Sequence, residues 1–420
     1  MFSFAKLRMT KIGVARSLSA ALPLVMLCLV AARPAQAQTY TVLHSFTGAP
    51  SDGAFANGEL VQDAAGNLYG TTSEGGTHND GTVFKLDPGG VVTILHSFDF
   101  ANDGVQPAGG LLLDAKGNLY GTTPEGGHGG QGTVFRIDTD DVFKTLYSFK
   151  GGSDGGWPRS RLVTINGDLY GTTTLGGDLS ECGGEGCGTI FKLSGSTETV
   201  LYNFSGGTDG ARPQGLIRDA AGNLYGVAEY GGIGAGTGAG TVWKLDINGA
   251  FVGLYAFTGG SDGGTPQGRL VRDNTNGTLR GVTWVGGDPV CNCGVVFSVD
   301  LSGHETVIHK FFGYGGGGLP FVGLLDVDGI LYGTTSDGGD LNCNHDMNPR
   351  GCGVLYQIGK TGQYDVIHSF EGATEGDAYY NLFGGLSLGT DGSIYGATYF
   401  GGTGTCKDYP GCGVIFKYTP

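Results

Sequence analysis

The sequence predicts an all-β fold: a seven-bladed β-propeller with four-stranded blades, closed by an N-terminal strand that completes the last blade. Three observations predict it. A unit of similar length recurs seven times along the chain. Glycine supplies 85 of 420 residues, against roughly 7% in ordinary proteins. No stretch sustains the 3.6-residue apolar period of a helix, yet 39% of residues are hydrophobic and 10% aromatic, enough to fill a core.

Residues 1–37 differ in composition from the rest. Lys6, Arg8, Lys11 and Arg16 form a positive start, Ser17–Ala32 is apolar, and Ala35-Gln36-Ala37 offers small residues at a cleavage position. This order is that of a secretory signal peptide, with Gln38 the first mature residue. The apolar run is short for a bilayer and Pro23 interrupts it, so no membrane span is expected. Residues 38–420 then form a single propeller domain. The leader holds five of the 24 basic residues and none of the 39 acidic ones, so the remainder carries a net charge of −20. A chain of that charge repels nucleic acid and anionic lipid, and neither is an expected partner.

Each repeat contains a short phrase ending in Phe: Val42–Phe46, Ile94–Phe98, Thr145–Phe149, Val200–Phe204, Gly253–Phe257, Val307–Phe311 and Val366–Phe370. The steps between them are 52, 51, 55, 53, 54 and 59 residues. Asp-Gly follows, then a Gly-Leu run, then a phrase such as Asp63–Thr72, then Gly-Gly and a Gly-Thr-Val-Phe-Lys type segment. In the second copy these read as strand a (Gly110–Asp114), strand b (Asn118–Thr123), strand c (Thr133–Ile137) and strand d (Thr145–Phe149). Asp114 to Asn118 is a tight turn in which Gly117 is free to take positive φ, and Gly121 inside strand b marks a close backbone approach or a bulge.

A four-stranded unit leaves both faces uncovered, and stacking seven in a ring covers them. The chain begins on a d strand, Val42–Phe46, and stops after a c strand, Gly413–Tyr418, so the first strand is expected to finish the seventh blade. An open β-solenoid is the alternative, but it needs no complementary ends.

The Leu-Tyr-Gly-Thr-Thr phrases at 68–72, 119–123 and 169–173, with the Leu-Tyr-Gly-Thr-Thr of 331–335, the Gly-Gly after each, and the Gly-Thr-Val-Phe-Lys strands resemble the GloVer-type tandem-repeat family of secreted bacterial proteins. The resemblance covers nearly all of 42–420. It implies a β-propeller and an extracellular or periplasmic location. It implies no particular chemistry.

Eight cysteines follow the leader, in sequential pairs that each fall within one b–c loop. Local bridges are expected for Cys182–Cys187, Cys343–Cys352 and Cys406–Cys412, while Cys291 and Cys293, one residue apart, could close only a strained bridge and their pairing is left open. Such pairing belongs to an oxidising compartment.

Two G-x-S-x-G matches, Gly151–Gly155 and Gly259–Gly263, lie between strands, where a nucleophile elbow needs a strand-to-helix turn. The repeated Asp52, Asp103, Asp154, Asp209 and Asp262 read as turn caps. His44, His96, His309 and His368 interchange with Tyr147, Tyr202 and Tyr255 on strand d, which reads as packing. The residues that break the repeat carry the functional signal. Arg159, Arg161, Arg212 and Arg269 fall in or beside the d–a loops of consecutive blades, with Trp157, and Tyr230 and Trp284 lie in b–c loops of the same sector. Arginine forks match carboxylates and aromatic faces stack on sugars, so these seven residues are the expected binding site for an acidic glycan. The alternative is pairing of these arginines with Asp154, Asp209 and Asp262.

Asp340, Asn342, Asn344 and Asp346 place oxygen ligands at alternating positions, a spacing that suits Ca²⁺, although His345 and Gly351 stand where an EF-hand has Gly and Glu. The reading is a secreted, monomeric recognition module for an extracellular acidic polysaccharide or a surface protein. The alternative is a polysaccharide lyase or glycosidase on the same rim. A lyase would use Arg161 or Arg212 with Tyr230, and a glycosidase would draw on Glu74, Glu125 and Glu229.

Overall fold

A computed structural model describes residues 38–233, 238–341, 343, 351–372, 374–377, 385–406 and 409–420. They form seven antiparallel four-stranded sheets in a closed ring. Among the described residues there is no α-helix, only single 3-10 turns at Cys182–Gly184 and Tyr314–Gly316. Blade 1 runs Gly53–Gln62, Leu68–Gly75, Thr82–Leu86 and Val92–Ser97 as strands a to d. Blade 7 takes its first three strands from the C-terminal region, Ser387–Leu388, Ile394–Thr398 and Val414–Thr419. Its d strand is Thr39–Ser45, which pairs antiparallel with Val414–Thr419 from Thr39↔Thr419 to Ser45↔Val414. The closure expected from the chain ends is therefore present.

The contact between blades repeats. The Phe at the end of each d strand (46, 98, 149, 204, 257, 311 and 370) has 0% exposure. Each meets the strand-c aromatic of the next blade edge-on, as in Phe98–Phe135 at 5.2 Å, Phe204–Trp243 at 5.8 Å and Phe311–Tyr356 at 5.3 Å. That ring lies over the Gly of strand b in its own sheet. A Cβ on Gly70 would stand 2.6 Å from Phe84 Cζ, and Gly121, Gly171, Gly226, Gly281, Gly333 and Gly396 are pressed likewise. The glycine inside strand b is thus the seat of a core ring.

A second seam runs along the outer strands. Phe143 stacks on His96 at 3.6 Å, Phe251 on Tyr202 at 4.0 Å, Tyr364 on His309 at 4.0 Å and Tyr40 on His368 at 3.8 Å. The His/Tyr interchange is therefore packing, as expected, and also hydrogen bonding. His96 Nε2 lies 2.8 Å from Asp103, and the Tyr147 and Tyr202 hydroxyls donate to Asp154 and Asp209 at 2.9 and 3.0 Å. The same aspartates cap their turns through backbone N–H groups, as at Lys150 and Ser205.

In two seams the stacked ring is replaced by a carboxyl group. Glu198 occupies the position in blade 3, near Asp154, and Glu305 occupies it in blade 5, near Asp262. Burial, and then the neighbouring aspartate, push each from 4.5 up to about 7. For Glu305 the nearby His304 and Lys310 pull the other way. A carboxyl raised by folding favours the folded state while protonated. Its contribution is complete below the ordinary carboxylate range and is lost as pH rises through about 7. Replacing Glu198 and Glu305 by Gln should leave stability at about pH 4 nearly unchanged and raise it at about pH 8. The gain is on the order of 1 kcal/mol per site, after allowing for the part of each side chain that water still reaches. Denaturant midpoints at the two pH values check this, and equal gains at both would contradict it.

Candidate ligand-binding site

The crossing from one blade to the next sets the geometry of the rim. In each of six crossings one residue adopts left-handed φ, after the capping Asp and its Gly in blades 1 to 5 and after a run of Gly in blade 6: Phe55, Gln106, Trp157, Arg212, Thr265 and Leu319, at 48° to 60°. Such a conformation costs a non-glycine residue of order 1–3 kcal/mol and persists only where the surroundings hold it. Here the hold is a hydrogen bond to the preceding blade. Trp157 N–H donates to Gln131 C=O at 2.9 Å, Arg212 N–H to Cys187 C=O at 2.9 Å and Thr265 N–H to Ala239 C=O at 2.7 Å. In blades 2 to 6 a proline follows (107, 158, 213, 266 and 320) and packs on the glycine before strand c of the previous blade. The backbone of the clasp is fixed whatever side chain it carries, so that side chain is free to vary.

In blades 3 and 4 the clasp carries Trp157 and Arg212. With Arg159, Thr174, Leu175, Glu185, Gln214, Glu229, Gln267 and Phe321 they line a cavity of about 340 Å³. It is built from d–a and b–c loops, the rim the repeat pattern marks as the longer. Arg159 Cζ lies 4.7 Å from the Trp157 ring centroid, and Arg212 Cζ lies 5.4 Å from that of Tyr230. Burial lowers the Arg159 guanidinium from its ordinary range, opposed by the charges of Glu125 and Glu229. Gln214 donates to Glu229 at 3.2 Å. Gln267 is 3% exposed, and its Nε2 has no hydrogen-bond partner among the described residues. Trp284 packs edge-on against Phe321 at 5.7 Å, one ring removed from the cavity.

Arg161 and Arg269 lie elsewhere, on the axis of the ring. Both grip Glu59 of blade 1: Arg161 through Nη1, and Arg269 through Nη2 at 2.6 Å and Nε at 3.2 Å. Burial would raise the Glu59 carboxyl, but the charges of Arg269 and Arg161 and their hydrogen bonds outweigh it and hold it below the usual range. The aspartates considered as partners for the arginines are engaged by Tyr147, Tyr202 and Tyr255 instead. Of the seven residues singled out in the sequence, the structure brings Trp157, Arg159 and Arg212 onto one cavity. Tyr230 and Trp284 stand behind its walls, and two arginines are spent on the axis. Gln267, Gln214, Glu185, Phe321 and Glu59 were missed. Glu59 had a signal. The slot before the strand-a leucine reads Gly in four copies (110, 215, 323 and 385) and carries charge in three, Glu59, Arg161 and Arg269.

The three expected disulfides are present and Cys291 pairs with Cys293 as well, and each bridge lies against the glycine of the following d–a loop (Gly206, Gly313, Gly372 and Gly48). The Cys182–Cys187 bridge therefore stiffens the carbonyl that holds Arg212. Of the proposed calcium ligands, Asp340 is described, while Asn342, Asn344 and Asp346 lie outside the described residues.

The family model described as the Gloeobacter/Verrucomicrobia repeat matches residues 29–184 and 179–347. No curated protein matches the chain. Among solved structures, the extracellular domain of a protein described as a hybrid two-component system from B. thetaiotaomicron is similar, with TM-score 0.55 and 13% identity. The match covers 90% of this chain and 39% of that one, so the chain spans about two fifths of that neighbour's length. A chain of the mitotic checkpoint complex is similar with TM-score 0.55 and 11% identity, over 98% of this chain and 99% of that one. At these identities the likeness concerns the fold. No helix of the described residues is long and apolar enough to cross a membrane.

Replacing Glu59 by Ala leaves two arginines on the axis without their counter-charge. The expected loss is about 3 kcal/mol at pH 7, the low end for a broken buried pair, because 26% and 30% of the arginine side chains still meet water. Glu59→Gln, which keeps the shape and two hydrogen-bonding atoms, should lose less. Urea denaturation checks both, and wild-type stability of Glu59→Ala would refute the axial clamp.

Proposed function

The chain belongs to the Gloeobacter/Verrucomicrobia repeat family, and on that premise we propose that it is an exported recognition propeller that binds an acidic saccharide in the cavity where blades 3 to 6 meet. Export is supported by the leader-like residues 1–37 and by four disulfides, which persist in oxidising compartments. The observation that carries the ligand is the convergence in one cavity of two guanidinium groups, Arg159 and Arg212, a half-buried indole, Trp157, and the buried amide of Gln267. The guanidinium groups suit a uronate carboxylate, the indole suits the face of a sugar ring, and the amides of Gln267 and Gln214 suit hydroxyl groups. A saccharide hydroxyl accepting from Gln267 Nε2 would satisfy a buried donor, and such groups cost free energy when left alone. The cavity volume lies at the low end for small-ligand sites.

A lyase on the same rim is the second reading, with Arg212 neutralising the carboxylate and Tyr230 abstracting the proton. Burial and Glu229 raise the Tyr230 phenol, with Arg212 only partly offsetting them, so it holds its proton and makes a poor base. Binding without turnover is therefore favoured.

Affinity electrophoresis through gels containing polygalacturonate tests the reading. The wild type should be retarded, and Arg212→Ala and Gln267→Ala should each weaken retention roughly tenfold with unchanged circular dichroism. Wild-type migration indifferent to every uronate polymer, or variants retained like the wild type, would overturn it. A growing absorbance from unsaturated uronate would establish the lyase instead.

A further inference from the structure

The cavity and the axis share three walls, Arg159, Gln214 and Phe321. What lies beneath the cavity therefore decides how a chain can enter it. The axial space is lined by residues of all seven blades, yet only about 60 Å³ of it is wide enough to admit the centre of a water molecule. Two features close it. Glu59, Arg161 and Arg269 meet there from blades 1, 3 and 5. The remaining four slots are glycines already in contact with their neighbours. A Cβ on Gly110 would stand 2.9 Å from Glu59 Cβ, one on Gly215 would stand 3.1 Å from Arg269 Cβ, and Gly323 and Gly385 are pressed on Arg269 and Glu59. Among the described residues the axis leaves no passage wide enough for a polymer.

The floor is also charged. Two arginines against one glutamate leave one positive charge in excess on the axis, and Arg159 stands in the wall directly above. From this blind, positively charged floor we propose that the cavity recognises the end of an acidic saccharide chain rather than its interior. The terminal uronate carboxylate turns toward Arg159 and the axial arginines. The terminal ring lies on Trp157, and the rest of the chain leaves past Arg212 into solvent. With the axis filled, an internal unit would have to carry both arms of the chain out past the rim, whereas a chain end sends out one. This inference rests on the binding reading above and adds the mode of recognition to it.

Calorimetry with the purified protein and galacturonate oligomers of increasing length tests it. The expected result is one protein per chain end and an affinity that stops rising beyond the shortest oligomers. A tetrasaccharide whose terminal units alone have their carboxyl groups reduced to alcohols should bind roughly tenfold more weakly or worse. A count of bound protein that grows in proportion to chain length, with end-reduced oligomers bound as well as the parent, would overturn end recognition and leave acidic-glycan binding standing. Failure of every uronate to bind would remove both.

Discussion

The ring rests on one contact made seven times: a phenylalanine at the end of an outer strand, set edge-on against the strand-c aromatic of the next blade. Each pair contributes about 0.5–1.5 kcal/mol beyond the apolar area it buries. It forms only because strand b carries glycine beneath the ring. The strand ladders run within a blade, and between blades this contact is joined by the stacked outer-strand rings and the clasp hydrogen bonds. The closing seams obey the same rule. Phe46 comes from the first strand of the chain and meets Phe84 of blade 1 at 5.2 Å, while Phe370 meets Phe416 of blade 7 at 5.7 Å. The N-terminal strand therefore adds both a ladder of hydrogen bonds and the ring that seals blade 7 to blade 1.

Because packing is settled by that contact and by the clasp at each crossing, the rim can differ from blade to blade without disturbing the fold. The left-handed position holds Phe, Gln, Trp, Arg, Thr and Leu in six crossings, with the N–H bonded in the same way each time. In blade 1 the variable residue is turned to packing, with Phe55 stacked on Tyr399 at 4.9 Å. In blades 3 and 4 it is turned to the cavity. A repeat with a rigid backbone and one free side chain per unit can build a single asymmetric site on a symmetric frame, and binding residues commonly sit on loops held this way.

The fold was legible because its signals are local and repeated. Strand c of blade 2 ends where Thr133 and Ile137 place it, and the cysteine pairs join within single loops. The site was legible in part. Arg159 and Arg161 stand two apart, a spacing that puts both on one face of a strand. They precede the strand, which begins at Val163, and in that irregular stretch one reaches the cavity and the other the axis. No spacing rule separates them. The turn aspartates read correctly as caps, and their Tyr and His partners stand seven residues earlier on the d strand that runs into the same turn, a recurring spacing that the packing reading of those rings passed over. Gln267 carries no sequence signal, because its importance lies in being buried with a free donor.

Charge connects the site to its proposed mode of use. A chain of net charge −20 outside its leader repels polyanions over most of its surface. Screening confines that field to about 8–10 Å in physiological salt, so a short anionic group feels chiefly the groups nearest to it. At the cavity those are Arg159 and Arg212, balanced by Glu185 and Glu229 of the same lining, so the net attraction comes from the axial excess beneath. A long acidic chain laid across the rim would meet repulsion along its length and attraction at one point. A chain end entering the cup gains the attraction and leaves most of the repulsion behind. The acidic ring then acts against the wrong mode of binding while the arginines favour the right one, and selectivity commonly needs both.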